Sequence, residues 1–282
     1  MASFVGSVAI VTGGASGIGK AIGEEIARRG ARVVLADLDG EGAEQAARGI
    51  TQAGGQARAE RVDVCDAAQV QALVDGTFSR EGCLDYMFNN AGIALFGEVR
   101  DMTLEQWERI LQVNLYGVVH GVVAAYPRMV EQGSGHIVNT ASMAGIAPTP
   151  GATAYAMTKH GVVGLSTSLR GEGAALGVRV SVVCPGLIDT PLKDSLTYLG
   201  LDKQKMLQHP AIKLHSVEHC AQVVVRGVQR NRAIITVTPL ARRAWRLYRL
   251  LPGFAASWLG NFSMQRMRRE FSSRPENSSA SS

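Results

Sequence analysis

Tyr155 and Lys159 stand four residues apart in GATAYAMTKH, residues 151–160. Residues at i and i+4 project from one face of a helix. The stretch from Ala152 to about Leu176 has helical composition, with apolar residues at Val162, Val163, Leu165 and Leu169. A phenol and an ammonium group are therefore expected side by side. The positive charge favours the phenolate, so the pair predicts a Tyr155 pKa below its reference of about 10. Such a group transfers protons near neutral pH. A solvated surface tyrosine beside a surface lysine has the same spacing, so the pair alone does not establish chemistry.

The elements that must position the pair are legible as alternation. Short β-branched runs occur at 8–12, 32–37, 57–64, 84–90, 135–142, 178–185 and 233–238. Most are continuously apolar, as in strands covered on both faces. Helical patterns fall between them, near 18–29, 41–53, 67–80, 104–132, 152–176 and 217–230. Strand–helix alternation of this kind predicts an α/β fold with a doubly wound parallel sheet of about seven strands.

The first strand runs into TGGASGIGK, Thr12 to Lys20, with glycines at Gly13, Gly17 and Gly19. Glycine permits a tight turn and close approach of a pyrophosphate, and the following helix N-terminus offers unpaired N–H groups. The spacing is not the usual G-x-G-x-x-G, and an ordinary tight turn remains an alternative. The second strand ends at Asp37, 18 residues beyond Gly19. A carboxylate there is placed to accept both ribose hydroxyls of an adenosine and to repel a 2′-phosphate. Leu38 and Asp39 follow it, and Ser16 occupies a place open to a basic residue. These residues favour NAD(H) over NADP(H), with a loop-start or capping aspartate as the plain alternative.

The chain has 282 residues, 46% of them apolar and 19% charged. That is enough apolar material for a large core. Cys65, Cys83, Cys184 and Cys220 lack metal-binding spacing and read as reduced thiols in a cytoplasmic protein. The N-terminus lacks the pattern of a signal peptide, and no run approaches a membrane span. The net charge of +5 is uneven: residues 1–240 carry −1 and residues 241–282 carry +6. A slightly acidic main domain argues against a nucleic-acid partner.

In order, the chain shows TGGASGIG (12–19), Asp63-Val64, NNAG (89–92), Asn114 in VNLYG, Ser142 in NTASMAG, YAMTK (155–159), PG (185–186) and IDT (188–190). This series resembles the short-chain dehydrogenase/reductase family over roughly residues 4–238, with Ser142 lying 13 residues before Tyr155. The resemblance implies a Rossmann-type fold and a catalytic set of Ser142, Tyr155, Lys159 and Asn114. Tyr155 would exchange a proton with the substrate oxygen. Lys159 would depress its pKa and hydrogen-bond the nicotinamide ribose. Ser142 would polarise the substrate oxygen, and Asn114 would hold a water in a relay to Lys159. The cofactor would be held by Gly13, Ala15, Ser16, Gly17, Ile18, Gly19 and Asp37, by Asp63 and Val64 around the adenine, by Asn90, Ala91 and Gly92, by Tyr155 and Lys159, and by Pro185, Gly186, Ile188 and Thr190. No metal is needed. Family members pair through helices corresponding to 104–132 and 152–176, so a homodimer or homotetramer is implied.

The substrate is the least legible part. The resemblance makes residues 187–216 a lid, and it is apolar on one side through Leu192, Leu196, Tyr198, Leu199, Leu201, Met206 and Leu207. Met143, Ile146, Ala147, Pro148, Ile93, Ala94, Leu95 and Phe96 are apolar near the same end. Together they favour a lipophilic secondary alcohol or ketone, steroid-like, terpenoid or long-chain. Alternatives are an NADPH-dependent 3-oxoacyl thioester reductase, a ring-diol dehydrogenase, and a catalytically silent dinucleotide-sensing or scaffold protein. The expected organisation is a catalytic domain over 1–240, a basic amphipathic helical extension over 241–270 and a disordered tail over 271–282. The extension either docks on an anionic membrane surface or packs on the domain or a partner subunit with its arginines solvated.

Overall fold

The structure is a computed structural model and describes residues 3–192, 197–207 and 214–271. The lid reading over 193–196 and 208–213, that for the side chain of Leu207, and that for 272–282 lie outside the described residues. Seven parallel strands form one sheet: β1 (Val8–Thr12), β2 (Arg32–Asp37), β3 (Gln56–Arg61), β4 (Tyr86–Asn89), β6 (Gly135–Thr140), β7 (Val178–Cys184) and β9 (Ile234–Thr236). Their spatial order is β3-β2-β1-β4-β6-β7-β9, with the order reversing at β1. This is the doubly wound architecture expected from the alternation.

Along β1, Ala9 and Val11 face one core while Val8 and Ile10 face the other. Both faces are covered, which is why the strand is apolar without alternation. The first core is closed by α1 (Gly17–Ala27), α2 (Gly40–Gln52) and α8 (Val217–Gln229). The second is closed by α3 (Ala67–Glu81), α5 (Gly117–Gln132) and α6 (Thr153–Gly173). β3 is an edge strand and carries Arg58, Glu60 and Arg61, charges that discourage pairing with another chain.

The helix expected over 104–132 is interrupted. α4 (Leu104–Leu111) passes into a π-helical turn at Gln112–Tyr116 before α5 begins. Asn114 lies in that turn, fully buried. Single π turns of this kind recur at functional positions. Periodicity along the sequence does not show the break, which places Asn114 in hydrogen bonds to Ile93, 21 residues away.

Long-range contacts also create a two-stranded sheet that local pattern did not suggest. β5 (Leu95–Phe96) pairs in parallel with β8 (Thr197–Tyr198). The Phe96 and Tyr198 rings stack with centroids 5.8 Å apart. The segment after NNAG is thereby joined to the segment after PG, which also carries α7 (Lys203–Leu207). The latter is pinned at both ends, since Asp189 N–H donates to the His215 carbonyl and His215 N–H to the Leu187 carbonyl.

After β9, Thr238 caps α9 (Pro239–Leu250) by accepting the Ala241 N–H at 3.2 Å. Trp245 packs against the second core, and the Arg249 guanidinium lies 5.8 Å over its ring. The apolar face expected to be free for a membrane is thus partly used on the protein itself. A final helix, α10 (Gly260–Phe271), follows. No helix of the described residues is long and apolar enough to cross a membrane.

Candidate active site

The C-terminal ends of the parallel strands converge on one cleft of about 380 Å³. Ligands bind at such strand ends where the strand order reverses. Gly13 (φ +67°) makes the first turn so tight that a Cβ there would come within 2.9 Å of the Ala91 Cα. At Gly19 a Cβ would lie 2.0 Å from the Gly13 carbonyl oxygen. Only glycine fits either place. Thr12 ties this turn to NNAG: its Oγ1 accepts the N–H groups of Asn90 (2.9 Å) and Ala91 (3.1 Å), and its carbonyl accepts from Asn90 Nδ2 (3.1 Å).

Asp37 ends β2 with its carboxylate fixed by two backbone donors, Ala15 N–H at 3.0 Å and Asp39 N–H at 3.1 Å. Asp37, Asp63 and Val64 line one end of the cleft, with Leu38 and Val62 beside them. Ser16, Gly17 and Ile18 line its floor, as do Gly13, Asn90, Ala91 and Gly92. Ala15 and Gly19 are not on its wall. Ala15 contributes the N–H that holds Asp37, and Gly19 contributes the space in which the turn closes.

Ser142, Tyr155 and Lys159 line the other end of the cleft, with Pro185, Gly186, Ile188 and Thr190. Ser142 follows β6, and its Oγ accepts the Ala144 N–H at 3.2 Å. Lys159 is 3% exposed and donates to the Thr140 carbonyl at 3.0 Å. Its Nζ lies 5.7 Å from the centre of the Tyr155 ring. Burial holds the Lys159 pKa down at about 8.

One expectation about this pair is corrected. Loss of water around the phenol raises the Tyr155 pKa, the Ser142 hydroxyl opposes that rise, and the nearby Cys184 adds to it. The net direction is upward, not downward. Desolvation outweighs any help to the phenolate here, and the Lys159 ammonium is directed to the Thr140 carbonyl. Cys184 is itself pushed up to about 12 by burial, so it stands beside the pair as a neutral thiol.

Asn114 sits behind the cleft wall. Its Oδ1 accepts the Ile93 N–H at 2.8 Å and its Nδ2 donates to the Ile93 carbonyl at 2.8 Å. A Cβ on Gly92 would lie 3.2 Å from Asn114 Oδ1 and 3.4 Å from Lys159 Nζ. The amide and the ammonium thus both border the space that a Gly92 side chain would take. Thr158 donates to the Tyr155 carbonyl at 2.7 Å and stands 3.4 Å from Asn114 Nδ2.

Three threonines that hold this arrangement, Thr12, Thr140 and Thr158, were not singled out from sequence. Thr12 and Thr140 each end a strand. Position at a strand's C-terminal end is the signal that could have found them. Val113, which also lines the cleft, had no such signal.

The residues fit a dinucleotide on structural grounds. The cleft is lined by glycine backbone where a pyrophosphate must come close. The first turn of α1 lacks a side-chain cap from Ser16, so its N–H groups are left for another acceptor. A fixed carboxylate, Asp37, stands at the far end.

Comparison with known proteins agrees with this geometry. Residues 7–198 match the family described as short chain dehydrogenase. Cyclohexanol dehydrogenase of an Acinetobacter species is 35% identical over 237 residues, covering 83% of this chain and 92% of that protein. D-threitol dehydrogenase of Mycolicibacterium smegmatis is 41% identical over 187 residues, covering 66% and 72%. A crystal structure of a short chain dehydrogenase/reductase from Burkholderia phymatum in complex with NAD superimposes with a TM-score of 0.81, at 28% identity and with 100% of both chains covered. The chain belongs to the short-chain dehydrogenase family and is an oxidoreductase acting on CH–OH groups.

Proposed function

We propose that the protein interconverts a lipophilic secondary alcohol and its ketone with NAD(H), using Tyr155 as the proton-transfer residue. The observation that carries this is one cleft with Asp37 at one end and Ser142, Tyr155 and Lys159 at the other. A bound nicotinamide dinucleotide supplies the hydride acceptor or donor. Asp37 holds the adenosine ribose and disfavours a 2′-phosphate, which sets NAD above NADP. The turn from Gly13 through Gly19 receives the pyrophosphate, supported by Ala15, Ser16 and Ile18. Asp63 and Val64 flank the adenine, while Pro185, Gly186, Ile188 and Thr190 border the nicotinamide side.

In the oxidative direction the Tyr155 oxygen takes the proton of the substrate hydroxyl. In the reductive direction it returns that proton. Ser142 donates to the substrate oxygen where charge develops. Lys159 brings positive charge to the site and orients the ribose. Asn114 positions a water that leads protons from Lys159 to solvent.

The substrate end supports a lipophilic ligand. Ile93, Ile188 and Leu192 line the cleft. A separate apolar cluster of Leu95, Ile110 and Ala154, joined by Met102, Trp107 and Leu199, packs against Tyr155. No arginine is among the described residues that line the cleft, so it has no obvious seat for a carboxylate or phosphate. Residues 187–216 act as the lid in this reading, on a catalytic domain of residues 1–240.

The test is oxidation of cyclohexanol, a larger cyclic alcohol and D-threitol with NAD⁺ and NADP⁺, beside Tyr155→Phe. The expected result is NAD⁺-linked turnover favouring the apolar alcohols. In the variant kcat/KM falls about 10²- to 10⁴-fold, with unchanged circular dichroism. Preference for threitol would overturn the lipophilic reading, and full activity in the variant would overturn the role of Tyr155.

Two assembly readings follow from exposed surface. Leu104, Tyr116, Val123 and Met157 are exposed on α4, the π turn, α5 and α6, which supports a homodimer or homotetramer through these helices. Light scattering that finds a monomer at micromolar concentration would refute it. At the C-terminal end, Leu240, Leu250, Leu251, Phe254 and Phe262 are exposed beside the arginines of α9. This mixture supports peripheral contact with an anionic membrane. Flotation with phosphatidylserine vesicles, lost at high salt, is the expected result, and absence of flotation excludes it.

A further inference from the structure

The C-terminal helix α10 packs on loops that adjoin the apolar cluster beside Tyr155. Met267 lies against Gly151, where a Cβ would come within 2.4 Å of the thioether methyl. Arg268 forms a forked pair with Glu98, Nε to Oε1 at 3.0 Å and Nη2 to Oε2 at 2.8 Å. This guanidinium above all, and Arg100 beside it, hold the Glu98 carboxyl below its usual range. The Phe271 carbonyl accepts the Asp202 N–H at 2.8 Å. Three residues of one stretch, Met267, Arg268 and Phe271, thus touch three loops that are far apart in sequence.

Those loops are the ones that carry the substrate end. Gly97 N–H donates to the Gly151 carbonyl at 2.7 Å, and Leu199 N–H to the Phe96 carbonyl at 2.8 Å. Leu95, Ala154 and Leu199 belong to the apolar cluster beside Tyr155. A shift of α10 would therefore be passed to the walls around Tyr155 within a few residues. The forked geometry matters, because a single exposed ion pair is worth little, whereas a bidentate pair fixes orientation as well.

We propose that α10 is the outer wall of the substrate site, and that Met267 and the Arg268–Glu98 pair are positioning residues that decide which alcohols reach Tyr155. This rests on the reading of Tyr155 as the proton-transfer residue. Arg268 is then a latch within the chain.

The experiment measures kcat and KM for cyclohexanol and cyclododecanol in the full chain and in Arg268→Ala, Arg268→Glu, Met267→Ala and the swap Glu98→Arg/Arg268→Glu, with KM for NAD⁺ alongside. The ratio of kcat/KM for the two alcohols is expected to change roughly tenfold in Arg268→Ala and Met267→Ala, below the hundredfold that an ångström of misplacement at the chemistry costs. KM for NAD⁺ should stay within about twofold, since the cofactor residues do not touch α10. The swap should restore the ratio lost in Arg268→Glu. An unchanged ratio in both alanine variants overturns the proposal. If the wild type oxidises neither alcohol, the proposed function fails by itself, and amide exchange decides the wall. Faster exchange at 97–102 and 147–152 in Arg268→Ala upholds it, and unchanged exchange overturns it.

Discussion

The Lys159 ammonium donates to the Thr140 carbonyl at 3.0 Å, so a residue of α6 is anchored to the end of β6. The same burial that makes this bond strong depresses the Lys159 pKa to about 8. The unfolded chain then binds this proton more readily than the native one between pH 8 and the ordinary lysine value of 10.5. Stability must rise with pH across that window, because the unfolded state holds more protons there. The gain is on the order of 3 kcal/mol at most, from about 1.4 kcal/mol per unit. Urea midpoints of wild type and Lys159→Met between pH 7 and pH 10 should diverge upward for the wild type. Parallel curves would show that Lys159 keeps its ordinary pKa.

Asp37, proposed to hold the adenosine ribose, also accepts the Ala15 and Asp39 N–H groups with its carboxylate. Asp37→Asn keeps one acceptor and removes the charge. The ratio of kcat/KM for NAD⁺ over NADP⁺ should fall about tenfold or more, the value of a lost charged hydrogen bond together with the removed repulsion. An unchanged ratio would place cofactor choice elsewhere.

Gly19→Ala puts a methyl group where the Gly13 carbonyl oxygen already lies, 2.0 Å away. Something must move, and the nearest atom is backbone, with the Asn90 side-chain Nδ2 next at 2.6 Å. A loss of about 1–3 kcal/mol is expected, the range for overpacking. Calorimetry should show a lower Tm and no stabilisation by NAD⁺. Gly76→Ala is the control, since a Cβ there meets nothing within 4 Å and a helix favours alanine over glycine by about 1 kcal/mol.

Asn114→Ala leaves the Ile93 N–H and carbonyl without the amide that pairs both. Each buried group left unpaired costs about 1–3 kcal/mol. Chemical denaturation should therefore show a loss of at least 1 kcal/mol, roughly, even before activity is measured. A variant with wild-type stability and low activity would make Asn114 a purely catalytic residue.

The sequence by itself determined what depends on near neighbours. Short runs, most of them continuously apolar, marked the seven strands, and a strand followed by glycines marked the cofactor turn, because both patterns act within about one turn of chain. The four-residue spacing of Tyr155 and Lys159 was equally local. Tertiary structure alone decided the rest. The direction of the Tyr155 pKa followed from how much water packing removes, which no spacing encodes. The π turn sets Asn114 in a bond to Ile93, 21 residues away. The pairing of Leu95–Phe96 with Thr197–Tyr198 spans about a hundred residues. Arg268 finds Glu98 across 170 residues. Such contacts exist only once the parallel sheet has brought its strand ends to one side, and that side is where the site forms.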